Sequence, residues 1–555
     1  MKKAYSILLL ILVFGFGNSC LFAQKLPSGP QVLTFHSEAD DTEQPYALYL
    51  PPDFDENRSY PFVMMLHGAG SNHRLALKRV FGKSNKPGET DVEASRYFQP
   101  WDDVEYIVAA PYARGTAGYR GIPEMDVYAV LDDVKSRFKI DENRTYLTGL
   151  SMGGGGTLWI GLTRPDLWAA IAPVCPAPPQ GAREMIGNAL NLPVRFFHGD
   201  ADPAVPVQGS RDWVAEMQAL GINVEMEEYE GVKHDSWVNA YEGGRIFEWF
   251  DQWTRNPYPE KVYLSTRQLK YGKAYWVEAK QIVPGRLATV EAEVAGENKI
   301  KVTTENLLAF SLDAGNHPHI GGGEVEVDID GQTVQAGGKG KWSFIKSGNQ
   351  WQKGEPAVGG LAKIKGQEGP IFEAFSGRHV YVYGTEDDPG EEEVAKRRAV
   401  ALEAANWSVY RGEFLGRIMF FPRVISDKEV RPSDLETANL ILFGTKETNK
   451  WIREWADQLP LHLSSGSDGL GLFYIYPINN RYVVVSSGLP WWGGRQSQGF
   501  SFVSQAHGVL PNFKDFVLFN GSTDTVMADG HFDLDWNLIP GDRDKLEKSG
   551  RVTLK

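Results

Sequence analysis

The chain has 555 residues, of which 42% are hydrophobic and 23% charged, and its net charge is −14. That length exceeds one ordinary core and predicts two or three domains. The acidic balance leaves no electrostatic basis for binding nucleic acid or an anionic membrane.

Residues Met1 to Ala23 stand apart. Lys2 and Lys3 lead an apolar run from Ile7 to Phe16, followed by small residues and Ala23-Gln24. This is the pattern of a secretory signal peptide, with an apolar stretch too short to span a bilayer comfortably. Cleavage after Ala23 takes the net charge from −14 to −16 and leaves Cys175 alone, so no intramolecular disulfide is expected. The expected location is secreted or periplasmic. Cys20 offers lipoprotein processing as the alternative, but Gly17-Asn18-Ser19 before it lacks the leucine of a lipobox. No later segment offers the ~18 uncharged apolar residues of a membrane span.

From residue 24 to 255 strands alternate with helices. Gln31–Phe35 and Tyr46–Leu50 form an opening strand pair, ended by Pro51-Pro52. Phe62–Leu66 and Tyr106–Ala110 are continuous apolar runs, as expected of strands buried on both faces. Met125–Phe138 has helical spacing, with Val127, Val130, Leu131 and Val134 on one face. Thr145–Leu150 is a strand that ends in Gly149-Leu-Ser151-Met-Gly153, and a helix to about Leu162 follows at once. Ala169–Val174, Val194–Phe197 and Val224–Tyr229 read as further strands, Gln208–Leu220 and Arg245–Trp253 as helices. The alternation predicts an α/β domain with a mainly parallel sheet covered by helices on both faces.

Asn256-Pro-Tyr-Pro259 reads as a linker, and beyond it the period changes. Ala274–Ala279, Leu287–Val294, Lys299–Thr303 and Glu324–Asp330 alternate in the β manner, and Asp330-Gly331 is a hairpin turn. Residues 260–367 are expected to form a small β-sandwich. A third region, 369–540, begins with two similar strands, Val380–Thr385 and Leu440–Thr445, separated by a helix over Glu391–Tyr410 and followed by one over Asn449–Gln458. This predicts a second, smaller α/β domain with a parallel sheet. Tyr474–Tyr476 and Tyr482–Ser486, split by Asn479-Asn480, read as a hairpin, and the charged end from Gly541 is expected to fray. The linker and the change of period together predict that the first domain is separable.

The chemistry is concentrated in the first domain. A serine nucleophile on a tight strand-to-helix turn needs small neighbours, which Gly149 and Gly153 to Gly156 provide around Ser151. It also needs a base, and the base needs an orienting carboxylate. Downstream, the strand Val194–Phe197 runs into His198-Gly-Asp-Ala-Asp202-Pro-Ala-Val-Pro206, and the last strand runs into Glu230-Gly-Val-Lys-His234. The order serine, acid, histidine, each after a parallel strand, assigns Ser151, Asp202 and His234 to one sheet edge. Upstream, His67-Gly-Ala-Gly70 follows a buried strand, and the backbone N–H groups of Ala69 and Met152 are the candidate oxyanion donors.

On these motifs residues 31–255 resemble the α/β-hydrolase superfamily, nearest to secreted esterases of the polyhydroxybutyrate-depolymerase and feruloyl/acetylxylan-esterase type. The resemblance covers fewer than half of the residues. It implies a Ser151–Asp202–His234 triad acting on carboxylic esters of plant polysaccharide or polymer, with no cofactor or metal. The prolyl oligopeptidase family shares the fold, but its elbow usually carries tyrosine or asparagine where this chain has Met152. The third reading is a binding protein on a hydrolase fold, against which the complete triad argues. His317 and His319 lack an evident third metal ligand, Trp491-Trp492 reads as a packed aromatic pair, and Cys175 as core.

Overall fold

The computed structural model describes residues 26–338, 340–357, 359–408, 419–495 and 503–555. The expected signal peptide, with Cys20, lies outside these residues, as do the last two positions of the helix expected over Glu391–Tyr410.

An eight-stranded sheet forms the first part of the molecule. Its strands are β1 (Gly29–Ser37), β2 (Thr42–Leu50), β3 (Tyr60–Leu66), β4 (Ile107–Pro111), β5 (Ile140–Leu150), β6 (Ala170–Val174), β7 (Val194–Gly199) and β8 (Val224–Tyr229). Their spatial order is β1-β2-β4-β3-β5-β6-β7-β8. The first three neighbours pair antiparallel and the rest run parallel. Every residue of β3 is buried, because the sheet has a core on each side. Phe62, Met64 and Leu66 enter one core beneath Val127, Val130 and Val134 of the helix Ile122–Arg137. Val63 and Met65 enter the other, against Leu77 and the helix Arg245–Phe250. Each such side chain contributes about 1.5–3 kcal/mol when fully buried. The outermost strand, β8, keeps glutamates at alternate and adjacent positions because only one of its edges is paired.

The helix Met152–Thr163 lies almost wholly inside the molecule. Its glycines permit this. A Cβ at Gly153 would stand 2.2 Å from the carbonyl oxygen of Leu66, and one at Gly155 would stand 1.9 Å from that of Ala177. The helix start is thereby pressed against the strand ends, which fixes where Ser151 can point.

Two five-stranded sheets follow and share one core. Strands Lys261–Thr266, Leu307–Asp313, Lys341–Ser347 and Gln350–Lys353 join those expected from alternation. Leu307–Asp313 escaped that test because its residues are buried almost throughout, without alternating. The third region holds a seven-stranded sheet that is mixed, where sequence pattern predicts a parallel one. Arg423–Ser426, His379–Tyr383, Asn439–Phe443 and Arg481–Gly488 run parallel, whereas Leu470–Ile478, Phe516–Asn520 and Ser522–Gly530 pair antiparallel. The turn at Asn479-Asn480 accounts for the switch. Both residues adopt left-handed φ, 51° and 61°, which suits a two-residue hairpin. The end expected to fray is ordered. Helix Pro540–Ser549 buries Leu546, and Val552–Leu554 pairs with Leu461–Leu463. One leucine and one short strand suffice to dock an otherwise charged tail.

The regions are joined by more than the linker. Tyr271 reaches into the first core, stands edge-on to Trp159 with centroids 5.5 Å apart, and donates to the Glu124 carboxylate at 2.7 Å. Buried Asn188 accepts from the N–H of Ser265 at 2.6 Å and donates to its carbonyl at 3.1 Å. Among the described residues no helix is long and apolar enough to cross a membrane.

Candidate active site

Ser151 caps the helix at the end of β5 with φ 54° and ψ −115°, a conformation that a residue with a Cβ adopts only under constraint. Its N–H donates to the Val174 carbonyl at 2.9 Å, and its carbonyl accepts from Gly155 and Ala177. The backbone is held from both sides and the hydroxyl turns outward. The Oγ lies 2.9 Å from Nε2 of His234. On the far side of the ring, Nδ1 lies 2.7 Å from Oδ2 of Asp202. A carboxylate only accepts, so Nδ1 carries the proton and Nε2 is left to accept from Ser151. Trp237 stands edge-on to the imidazole with centroids 5.7 Å apart.

Asp202 is buried and tied on both oxygens. Oδ1 accepts from the N–H groups of Ala204 and Val205 at 2.8 and 2.9 Å, while Oδ2 faces His234. Burial alone would raise its pKa, but those two N–H groups and His234 outweigh burial and hold it below the ordinary carboxylate range. His198, fully buried, adds a contact at 3.3 Å from Nε2 to Oδ2 of Asp202, and its Nδ1 lies 2.8 Å from Ser210 Oγ.

The loop after β3 carries Ala69 beside the serine. A Cβ on Gly68 would lie 3.6 Å from that of Ser151. Among the described residues neither the N–H of Ala69 nor that of Met152 is taken by a protein acceptor. The first N–H groups of a helix have no partner within it, so Met152 offers its own to a ligand. A second loop, after β4, holds the first. The ring nitrogens of His67 lie 2.8 Å from the carbonyls of Gly68 and Tyr112. Tyr119 donates to the carbonyl of His67 at 3.0 Å, and the N–H of Gly70 donates to Thr116 Oγ1 at 3.1 Å. Motif reading missed Thr116, Tyr119 and Arg114 of this loop. Only the run Ala113-Arg-Gly-Thr-Ala-Gly-Tyr119, placed after a strand end, marked it.

Cys175, Asp202 and His234 put potential metal-ligand atoms within 4.8 Å of one another. The histidine and carboxylate atoms point at each other, not at a shared centre, and burial pushes the Cys175 thiol up to about 12. A thiol that stays protonated is a poor ligand. His317 and His319 lie with ring centroids 5.7 Å apart and belong to no three-donor cluster among the described residues. Trp491 and Trp492 are both buried, edge to face at 4.5 Å, inside the core of the third region.

A mostly parallel eight-stranded sheet, with a serine on the strained turn after a central strand and a histidine in reach of it, is the architecture of the α/β-hydrolase superfamily. Residues 37–233 match the model of the family described as "Putative esterase". The chain is similar to "Probable feruloyl esterase C" of Aspergillus niger, 24% identical over 30% of this chain and 57% of that protein. It is similar also to "Putative esterase NocK" of Nocardia uniformis, 32% identical over 31% of this chain and 47% of that protein. The chain thus spans about half the length of these two relatives. Among solved structures it is similar to a CE1 ferulic acid esterase of Anaeromyces mucronatus, with 18% identity, 39% of this chain and 91% of that chain covered, and a TM-score of 0.31.

Proposed function

We propose that the protein is a secreted carboxylesterase that cleaves acyl groups from plant polysaccharide or a related polymer through an acyl-enzyme. The observation that carries this reading is the unbroken hydrogen-bonded path Ser151–His234–Asp202, at 2.9 and 2.7 Å, on a serine held at φ 54°. Ser151 Oγ attacks the ester carbonyl and gives its proton to His234 Nε2. Asp202 fixes the ring tautomer and stabilises the imidazolium that forms. The N–H groups of Ala69 and Met152 take the charge that develops on the carbonyl oxygen. His234 then protonates the departing alcohol, and water, activated by the same ring, releases the acid. Secretion rests on the pattern of residues 1–23. The acyl preference rests on the name of the Aspergillus niger relative, a feruloyl esterase. We read residues 24–255 as the catalytic unit, 260–367 as a β-sandwich and 369–540 as a further α/β unit.

The test is a panel of acetyl, feruloyl and longer acyl esters beside a prolyl peptide amide, on the full chain and on Ser151→Ala. Aryl and feruloyl esters are expected to turn over far faster than the amide, and Ser151→Ala to lose about four to six orders of magnitude in kcat. A Ser151→Ala chain that keeps a tenth of the activity ends the serine mechanism. Comparable efficiency on the amide transfers the reading to a peptidase.

A further inference from the structure

The loop Tyr112–Tyr119 holds the His67–Gly70 segment, and something must hold that loop. Ala113, Arg114 and Gly115 have consecutive left-handed φ values of 43°, 61° and 68°. Two of these residues carry a Cβ, so the conformation persists only if contacts over-determine it. The contacts converge on Arg114, which is 1% exposed. Its Nε donates to Asp126 at 2.7 Å, Nη1 to Asp40 at 2.6 Å and Nη2 to Ser37 Oγ at 2.6 Å. These partners come from β1, the β1–β2 turn and the helix Ile122–Arg137.

The fourth side of the guanidinium is closed by the far end of the chain. Nη1 lies 3.5 Å from the carbonyl of Met419, and the Phe420 ring centroid lies 5.9 Å from the guanidinium carbon. Met419 and Phe420 are 4% and 3% exposed and form a small apolar cluster with Ala39, Ile122 and Trp407. Residues more than 300 positions downstream of Arg114 therefore complete its seat. A charge triad kept dry by an aromatic ring is stiffer than one open to water, because each hydrogen bond is stronger at low dielectric.

We propose that Arg114 is a positioning residue for oxyanion stabilisation, and that Met419–Phe420 make the C-terminal region a structural part of the active site. The chain of contacts is short. Phe420 seats Arg114, Arg114 fixes the loop, Thr116 and Tyr119 on that loop fix Gly70 and His67, and Ala69 lies between those two. Misplacement here weakens charge stabilisation in the transition state and leaves ground-state binding unchanged, so kcat falls while KM does not. The inference rests on the serine-esterase reading above.

The experiment uses the full chain. Arg114→Ala strands two buried carboxylates and risks unfolding, so the variants are Thr116→Val, Phe420→Ala and Phe420→Leu. Active sites are counted by fluorophosphonate labelling, and kcat and KM are measured on a short aryl ester. Affinity for an aryl trifluoromethyl ketone is measured alongside. Ser151 Oγ adds to the carbonyl carbon of that ketone and gives its proton to His234 Nε2, and the electrons of the broken C=O π bond leave the ketone oxygen as an anion facing Ala69 and Met152. Removing a whole oxyanion donor costs about 10²–10³ in kcat, so displacing one through Thr116→Val or Phe420→Ala is expected to cost about ten- to a hundredfold per labelled site. Ketone affinity should fall by a similar factor, KM should stay within about threefold, and Phe420→Leu should recover most of the loss. Unchanged kcat per labelled site in Thr116→Val, or losses confined to KM or to the fraction of labelled sites, overturns the inference. A wild-type chain that is not labelled at Ser151 refutes the serine reading and this one together. A labelled chain with indifferent variants refutes only this one.

Discussion

Asp200 and Asp202 are two residues apart on the loop after β7, and their contacts divide the labour between them. Asp200 Oδ1 accepts from the N–H of Gly231 at 2.6 Å and so closes the two site loops on each other. Asp202 faces the imidazole and is fixed by two backbone N–H groups. Asp202→Asn is expected to lower kcat by roughly four orders of magnitude, because the amide selects the wrong tautomer. Asp200→Asn should cost less than about tenfold, a loop effect of ~1 kcal/mol. Measuring both on one aryl ester decides, and a larger loss at Asp200 reverses the assignment. The depressed pKa of Asp202 has a sign. Its share of stability is complete above the unfolded carboxylate value, ~3.9, and is lost as pH falls through the lower folded value. Asp202→Asn should therefore flatten the acid limb of a Tm-against-pH curve. That Ser151, Asp202 and His234 meet was legible because each follows the end of a parallel strand inside its own short motif. Arg114 was not. Its role depends on Ser37, Asp40, Asp126 and Met419 meeting around it, and no local spacing encodes that meeting.

At the scale of elements, two glycines in two helices make opposite predictions. Gly155 sits where the helix Met152–Thr163 meets the segment after β6, and a Cβ there would fall 1.9 Å from a backbone oxygen. Backbone cannot step aside cheaply, so Gly155→Ala should destabilise by more than ~3 kcal/mol and sharply lower soluble yield. Gly209, in the helix Gln208–Ala219, has open space where a Cβ would stand, with no atom within 4 Å. Gly209→Ala should stabilise by about 0.5–1 kcal/mol in urea unfolding, since alanine loses less backbone entropy in a helix. A Gly155→Ala chain as stable as the parent would show that the helix can withdraw from the strand ends. The elements of the first sheet were readable because strands buried on both faces are continuous apolar runs bounded by turn residues. The third region was misjudged in its sheet type for the opposite reason. Its first strands are of the same buried kind and the hairpin at Asn479-Asn480 was read, but that its strand Arg481–Gly488 also pairs parallel with Asn439–Phe443, so that both kinds share one sheet, is a long-range pairing no local spacing encodes.

For the whole molecule, the issue is whether residues up to 255 form a self-sufficient unit. The linker Asn256–Pro259 and the change of period predict a boundary there, and the strands from Lys261 onward belong to other sheets than the first eight strands. What crosses that boundary was not legible, because a tyrosine in a turn belongs to no period. Tyr271 fills a place in the first core and supplies a hydrogen bond to Glu124, whose pKa burial pushes above the ordinary range. Removing the chain beyond Arg255 leaves that acid facing a void, with Trp159 Nε1 at 3.3 Å as its remaining donor among the described residues. It also strips Asn188 Oδ1 of the Ser265 N–H, while Nδ2 keeps the Leu162 carbonyl at 2.9 Å. Each orphaned buried polar group costs about 1–3 kcal/mol, and total stability is typically only about 5–15 kcal/mol. A fragment spanning residues 26–255 is therefore expected to be insoluble or to melt far below the full chain. In the full chain, Tyr271→Phe should lose about 1–3 kcal/mol with kcat on a small ester nearly unchanged, because Glu124 lies under the helix and not at the serine. Thermal and urea unfolding of both proteins provide the measurement. A fragment that is monomeric, melts cooperatively near the full-length value and keeps kcat would mean that the contacts at Tyr271 and Asn188 decorate a core already complete without them.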